Sequence, residues 1–159
     1  MSITRLKKEY LQILKDPNWF YTVLPSEDNF LEWKFILNGP ISTIFEGAMF
    51  NGKITFPNEY PNRPPKVIFT DNFYHPNVYL DGKICISILH EGEDIYGYEH
   101  SSERWSPSHG VNSIMLSIVS MLPEPNLDSP ANVDAGKTWR DNYEEYKLRI
   151  YKMISLMQS

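Results

Sequence analysis

The sequence predicts an α+β fold, formed as a single domain over residues 1–159 from an N-terminal helix, a four-stranded antiparallel meander and C-terminal helices. Three observations support it: apolar residues recur every three or four positions at both ends of the chain, they alternate with polar residues in the first half, and turn residues separate the alternating runs. Strands grouped early and helices grouped late are typical of α+β folds. A chain of 159 residues also has the usual size of one domain.

Helices are predicted in three places. The first covers residues 3–15 and should end at Asp16-Pro17, because a proline disfavours helix in the residue before it. The second covers residues 111–122, between Pro107 near its start and Pro123 at its end. A C-terminal amphipathic helix follows, with an apolar stripe formed by Tyr146, Ile150, Met153 and Met157.

Four strands are predicted from alternation and β-rich composition. They lie near residues 20–23, 31–37, 48–56 and 66–70. Short connections between them favour an antiparallel meander. From Asp71 to Ser106 neither period persists, and irregular chain of that length in a compact domain is usually functional.

Composition excludes several classes of function and site. A net charge of -5 argues against nucleic-acid binding. Residues 114–122, the most apolar run, are about half as long as a membrane span, and residues 1–8 lack the features of a secretory signal. A single cysteine cannot form an internal disulfide, and one cysteine with scattered histidines does not suit zinc. We therefore expect a cytoplasmic protein without direct membrane insertion or a metal.

Four spaced motifs carry a resemblance to a known family. In chain order they are Phe56-Pro57-Asn58-Glu59-Tyr60-Pro61-Asn62-Arg63-Pro64-Pro65, then Tyr74-His75-Pro76-Asn77 followed by Asp81-Gly82-Lys83-Ile84-Cys85-Ile86, then Trp105-Ser106-Pro107, then Glu124-Pro125-Asn126. Together they resemble the signature of ubiquitin-conjugating enzymes over nearly the whole chain. The resemblance implies the ubiquitin-conjugating fold, with Cys85 carrying ubiquitin as a thioester. It also implies three partners, namely ubiquitin, the ubiquitin-activating enzyme and a RING-type ligase. No cofactor is expected, because the activating enzyme consumes ATP upstream.

An acidic insertion separates Cys85 from Trp105. Residues 85–90, 97–99, 103–107 and 131–135 resemble the acidic-loop, G-type branch of the family, and most closely its endoplasmic-reticulum-associated degradation type. That resemblance implies polyubiquitin chains that signal degradation, and a membrane-anchored recruiter at the cytosolic face of the endoplasmic reticulum.

Cys85 is the predicted nucleophile. A thiol accepts an acyl group from another thioester at little cost and leaves readily when an amine attacks. Considered without the motif, a cysteine between Ile84 and Ile86 is more often an inert core residue. A papain-like hydrolase that pairs Cys85 with His75, His90 or His109 is an alternative, since such partners meet only in the fold. Two others are an inactive ubiquitin-binding variant, which would characteristically lack the cysteine, and an enzyme for another ubiquitin-like modifier.

Asn77 is the residue to which the family resemblance assigns stabilisation of the oxyanion. Attack on the thioester places negative charge on the carbonyl oxygen, and a neutral amide donor stabilises it by roughly 3 kcal/mol. Alternatively, Asn77 organises the active site, or its side chain simply bonds backbone groups in a turn.

The acceptor side of the reaction has a less certain assignment. Many relatives have an aspartate where this chain has Ser129, so His90 is a candidate base and Glu93 and Asp94 are candidates for orienting the acceptor amine. The alternative is an ordinary hydrated charge cluster. For ligase binding, the resemblance points to Arg5, Asn62, Ser106 and Pro107, which should converge on one surface. The Trp19-Phe20-Tyr21 run contacts a partner or packs in the core.

Overall fold

The structure, a computed structural model, describes residues 2–92 and 104–157. These residues form four helices, four strands and a short 3-10 helix at Ser87–Leu89. The helices are α1 (Ser2–Lys15), α2 (Val111–Met121), α3 (Val133–Asp141) and α4 (Tyr143–Met157), and the strands are β1 (Tyr21–Pro25), β2 (Glu32–Asn38), β3 (Met49–Thr55) and β4 (Lys66–Phe69). The predicted α+β class is confirmed.

The four strands form one antiparallel sheet in the order β1-β2-β3-β4. Alternation along β2 buries Trp33, Phe35 and Leu37 and exposes Lys34, because successive side chains of a strand point to opposite faces. The predicted meander is therefore confirmed, and its inner face supplies one side of the core.

Helix α2 supplies the other side of the core. Its apolar stripe of Val111, Ile114, Met115 and Ile118 is fully buried, and it joins Leu6 of α1 and Ile150 of α4 in one hydrophobic cluster. Burial of that stripe is the main reason the helix is stable. Its N-terminus lies beside the loop that contains Trp105.

The periodicity of the sequence did not predict α3. Of its nine residues, Ala135 and Gly136 are buried, so α3 has almost no apolar stripe to detect. It is started instead by Asn132, whose Oδ1 accepts a hydrogen bond from the Ala135 N–H at 3.0 Å. A side-chain cap of this kind satisfies an N–H that the first turn of a helix leaves without a partner.

The aromatic run divides between the core and the surface. Tyr21 is buried, whereas Trp19 and Phe20 are 52% and 40% exposed. The hypothesis of a partner contact therefore concerns Trp19 and Phe20 only. None of the helices in residues 2–92 and 104–157 has both the length and the apolar character needed to cross a membrane.

Candidate active site

Cys85 lies just beyond the edge of the sheet. Ile84 donates its N–H to the Val67 carbonyl of β4 and forms an isolated β-bridge with Val78. The next N–H, that of Cys85, donates to the Asn77 carbonyl at 2.9 Å. Ile84 is 2% exposed, while the Cys85 thiol is half-buried. Cys85 is therefore not the inert core residue that its apolar neighbours alone suggest.

The turn at residues 75–77 is fixed from inside the protein by His75. His75 has no exposed surface, its Nε2 lies 3.0 Å from the Leu122 carbonyl, and its Nδ1 accepts the Asn77 N–H at 3.0 Å. The ring is therefore a neutral tautomer with its proton on Nε2. Burial lowers the pKa of His75 to about 4, because removal from water disfavours the charged form. Its role is to hold the turn, since neither ring nitrogen faces Cys85.

Asn77 extends this internal support to the segment after α2. Its Nδ2 donates to the Asn126 carbonyl at 2.8 Å, and its Oδ1 accepts the Asn126 N–H at 2.9 Å. Asn77 is 3% exposed, and its own carbonyl accepts from Cys85. One N–H of Nδ2 is used by Asn126, so an oxyanion would have to be met by the other. These contacts support organisation of the active site, and the oxyanion role stays a prediction.

A third contact completes the support of this turn. The Asn132 N–H donates to the Pro76 carbonyl at 3.0 Å, in addition to the helix cap that its side chain forms. Three consecutive residues of the turn are thus bound by backbone groups of the 122–132 segment. Sequence reasoning did not identify Asn132, and only its position directly before α3 could have indicated the cap.

His90 is a side chain that the structure brings to the thiol itself. Its Nε2 lies 3.6 Å from Cys85 Sγ, at the end of the 3-10 helix that follows the cysteine. Its carbonyl accepts the Trp105 N–H at 2.9 Å, so the two ends of the acidic insertion lie side by side. His90 is half-buried. This geometry places an imidazole beside the thiol, and the role of His90 as a base stays a prediction.

Comparison with known proteins identifies the family. Residues 5–154 match the family model described as "Ubiquitin-conjugating enzyme". Ubiquitin-conjugating enzyme E2 7 of Arabidopsis thaliana is 50% identical over 155 residues, covering 96% of this chain and 93% of the relative. The chain belongs to the ubiquitin-conjugating enzyme family. Ubiquitin-conjugating enzyme E2 G2 of Homo sapiens is 49% identical with the same coverage, which agrees with the predicted G-type branch. Ubiquitin-conjugating enzyme E2 15 of Schizosaccharomyces pombe is 43% identical over 94% of this chain and 90% of the relative.

Family membership settles the class of activity. The chain is a ubiquitin-conjugating enzyme, and members of this family work with ubiquitin, an activating enzyme and a ligase. Among the histidines considered for a papain-like site, His75 is buried against Leu122 and Asn77, and His109 Nε2 lies 3.1 Å from the Arg104 carbonyl. His90 alone of these three contacts Cys85. The family assignment makes that contact part of a transferase site.

Tyr79 is a neighbour of the thiol that sequence reasoning missed. The charge of Cys85, followed by burial and a hydrogen bond to Cys85, raises the pKa of the Tyr79 phenol. The side chain is 43% exposed, and the Tyr79 N–H donates to the Lys83 carbonyl at 2.9 Å, which fixes its backbone beside the cysteine. Its place between the two parts of the motif, six residues before Cys85, was the available signal.

The remaining acceptor-side residues are Ser129, Glu93 and Asp94. Ser129 is exposed in a bend, and its hydroxyl forms no hydrogen bond within residues 2–92 and 104–157. Glu93 and Asp94 lie outside the described residues. Their predicted part in orienting the acceptor amine stays a prediction.

The four residues predicted to bind a ligase lie in segments that the structure brings together. Arg5 Nη2 donates to the carbonyls of Pro107 and His109 at 2.9 and 2.8 Å. Next to Asn62, the Pro61 carbonyl accepts the Trp105 Nε1–H at 2.8 Å, directly before Ser106. Asn62 and Pro107 are exposed, whereas Arg5 and Ser106 are half-buried. Convergence on one surface is thus observed, and ligase binding stays a prediction.

Proposed function

We propose that Cys85 accepts ubiquitin from the activating enzyme as a thioester and that a RING-type ligase then promotes its transfer to lysine amines. The observation that carries this proposal is the position of Cys85, a half-buried thiol between the Asn77 turn and His90. A thioester formed there is close to an organised backbone on one side and to an imidazole on the other. No resident cofactor takes part, since ATP is consumed upstream.

The chemistry of Cys85 needs little activation. At an ordinary cysteine pKa of about 8.5, about 3% of a thiol is ionised at pH 7. The incoming thioester is already reactive, and exchange between two thiols is nearly balanced in free energy. The more demanding step is the attack by lysine, whose neutral form at pH 7 costs about 4.6 kcal/mol to reach from a pKa of about 10.4. The enzyme must therefore assist mainly on the acceptor side.

His90 suits that assistance. An imidazole within reach of the attacking amine can accept a proton during attack. Carboxylates alone would favour the charged ammonium and raise the lysine pKa, so Glu93 and Asp94 are better suited to orienting the amine. We assign the acceptance of the proton to His90 and the orientation of the acceptor amine to the acidic insertion.

The biological output we propose is polyubiquitin that signals degradation at the endoplasmic reticulum. Its support is the resemblance of the Cys85–His90 and 131–135 segments to the G-type branch, together with the identity of 49% to E2 G2. A membrane-anchored recruiter would bring the protein to the cytosolic face of that membrane. Trp19 and Phe20, both exposed, are candidate contacts for such a recruiter.

The test is a loading assay with activating enzyme, ATP and ubiquitin or another ubiquitin-like modifier. We expect a reductant-sensitive adduct with ubiquitin, no adduct for Cys85→Ala, and a reductant-resistant oxyester for Cys85→Ser, because oxygen is a poorer leaving group than sulfur. A reducible adduct in Cys85→Ala would contradict the assignment of Cys85. Loading with a different modifier only would contradict the assignment of ubiquitin.

A further inference from the structure

Glu9 is an acidic side chain on α1 whose carboxylate joins three separate segments. It is 14% exposed and pairs with Arg5 Nε of its own helix at 2.9 Å. Its Oε2 also accepts the Tyr60 hydroxyl at 2.6 Å, and its Oε1 accepts the Val111 N–H at 2.7 Å. A carboxylate so far removed from water must be compensated by hydrogen bonds and an opposite charge. Glu9 has both, supplied by α1, the 57–61 loop and the start of α2.

Arg5 extends the connection to the loop before α2. Its Nη2 donates to the carbonyls of Pro107 and His109, and its guanidinium lies 5.8 Å from the centre of the Tyr60 ring. Since arginine offers five N–H donors in a fixed plane, one side chain can pair with Glu9 and bind two carbonyls at once. The loop is thus attached to α1 through the Arg5–Glu9 pair.

Tyr60 carries the same network toward the acidic insertion. Its ring lies 5.8 Å from that of Trp105, whose Nε1–H donates to the Pro61 carbonyl. The backbone N–H of Trp105 donates to the His90 carbonyl. Continuous contacts therefore run from Glu9, through Tyr60 and Trp105, to the residue beside Cys85.

The close approach of Glu9 to the start of α2 also constrains Gly110. A Cβ added at Gly110 would lie 2.4 Å from Glu9 Oε1, which is too short for an ordinary contact. Glycine at this position lets the carboxylate reach the Val111 N–H, one of the groups that a helix start leaves without an intrahelical partner. Negative charge is also favourable at that end of a helix.

We propose that Glu9 is a positioning residue for ligase recognition, fixing the 57–63 and 104–110 loops relative to α1 so that a ligase meets a preformed surface. The inference rests on the proposed function and on the prediction that Asn62, Ser106 and Pro107 contact the ligase. Preformed loops lower the ordering cost of binding, because less conformational freedom is lost when the partner docks. Glu9 itself is mostly covered by these loops and acts through them.

The test compares Glu9→Gln with Glu32→Gln. Glutamine keeps an oxygen for the Val111 N–H but removes the charge that holds Arg5. Glu32 is the matched control, since it also forms a single ion pair, with Lys53 at 2.9 Å, on the sheet. A fixed panel of purified RING domains is first tested for acceleration of ubiquitin discharge from the wild-type thioester. The RING domain with the largest effect is then the probe, and it is titrated against the purified thioester of each variant. Because the thioester is purified first, the measurement does not depend on the rate of loading.

For Glu9→Gln we expect the RING concentration giving half-maximal discharge to rise by about fivefold or more. The maximal rate at saturating RING, and discharge without RING, should stay within about twofold, because a positioning defect is overcome by excess partner. Amide hydrogen exchange should quicken in the 57–63 and 104–110 segments and stay unchanged in α4. Glu32→Gln should behave as wild type in all three measurements.

A half-maximal RING concentration equal to that of wild type would overturn the proposal, and so would unchanged exchange in both loops. If Glu9→Gln does not fold, Arg5→Lys replaces it in the exchange measurement. Lysine keeps a positive charge for Glu9 but lacks the planar set of donors with which arginine binds both carbonyls. Unchanged exchange at 104–110 in Arg5→Lys would likewise overturn it. Should wild type fail to load ubiquitin or respond to any RING domain, the proposed function fails, whereas the exchange result still decides whether Glu9 fixes the loops.

Discussion

Cys85 is contacted by residues that precede it in the chain and by residues that follow it, here called its first and second sides, and the two are built differently. On one side, His75 and Asn77 are 0% and 3% exposed, and they are hydrogen-bonded to backbone groups of Leu122 and Asn126. On the other side, His90 is half-buried, with its ring nitrogen 3.6 Å from the thiol. The first side is supported from within the protein, and the second is partly exposed.

This difference indicates that the two sides have separate roles in the transfer reaction. A charge that develops on the thioester is best met by groups that do not reorganise, which favours a buried and fully bonded turn. An acceptor amine must enter from solvent and lose a proton, which favours an exposed group that can change its protonation state. We therefore expect substitutions on the first side to affect stability and every transfer reaction, and substitutions on the second side to affect lysine acceptors selectively.

The largest expected effect concerns His75 and pH. The pKa of His75 is about 4 in the folded protein and near 6.5 in an unfolded chain. Between these values the unfolded state holds a proton that the folded state lacks, so the free energy of unfolding rises with pH in this window. Acidification from pH 7 to pH 4 should cost roughly 3 kcal/mol through this group.

Urea unfolding of wild type and His75→Gln at several pH values measures the contribution of His75 to the pH dependence of stability. Glutamine can donate to the Leu122 carbonyl but does not titrate, so the variant should be less stable at pH 7 and its free energy of unfolding should depend less on pH. The two curves should differ in slope by about 1.4 kcal/mol per pH unit within the window. Parallel curves would mean that His75 does not remain neutral in the folded state.

The next effect is on transfer by Asn77→Ala. The substitution leaves the backbone N–H and carbonyl of Asn126 without their partner, and it removes any amide donor to the oxyanion. We expect loading to persist and single-turnover transfer to lysine to slow by about tenfold or more. The unfolding free energy should fall by about 1–3 kcal/mol.

Hydrogen exchange at the Cys85 amide separates the two roles of Asn77, because its acceptor is the main-chain carbonyl of residue 77, which the substitution leaves in place. Slow transfer with faster exchange would favour organisation of the site, and slow transfer with unchanged exchange would favour direct stabilisation of the oxyanion. Hydroxylamine discharge should slow as well, since the thioester carbonyl is the same. Transfer rates equal to those of wild type would rule out both roles.

A smaller and more selective effect is expected for His90→Ala. Loading and hydroxylamine discharge should stay within about twofold of wild type, while diubiquitin formation slows by about three- to tenfold, because hydroxylamine needs less help with deprotonation and positioning. A Glu93/Asp94 double alanine variant should show the same selectivity. If both variants form diubiquitin as fast as wild type from about pH 6 to about pH 9, the insertion is a solvated loop.

The sequence predicted those elements of the fold whose residues have a clear period. Strand β2 alternates along its whole length, and α2 carries an apolar stripe that is entirely buried, so both were located within a few residues. Helix α3 was not found from periodicity, because its start depends on the Asn132 cap and little of it is buried. A cap is a local hydrogen bond, which a hydrophobic pattern does not register.

The site was predictable to the extent that its residues lie in motifs. Cys85, Asn77 and His90 were identified from the sequence, and the structure brings all three together. What the sequence could not provide was the direction of each side chain: that Asn77 faces Asn126, or that Arg5 is attached to the loop carbonyls as well as partly exposed. These contacts join residues more than 40 positions apart, so only the folded chain determines them.

The smallest expected effect is that of Arg63→Ala, which tests how firmly the His90 side is held. Arg63 Nη2 lies 3.3 Å from Glu91 Oε1, linking the 57–63 loop to the residue after His90, and the two side chains are 54% and 50% exposed. Exposed ion pairs of this kind contribute about 0–1 kcal/mol and weaken as salt is added. Two hydrogen bonds to main-chain carbonyls hold the same place more firmly, since the Trp105 N–H donates to the His90 carbonyl and Arg104 Nη2 donates to the Glu91 carbonyl. We therefore expect Arg63→Ala to leave the free energy of unfolding almost unchanged and diubiquitin formation within about twofold of wild type. The transfer rate of wild type should be equally insensitive to added salt. A loss as large as that of His90→Ala would show that the Arg63–Glu91 pair positions His90, and that the second side of Cys85 depends on its surroundings as strongly as the first.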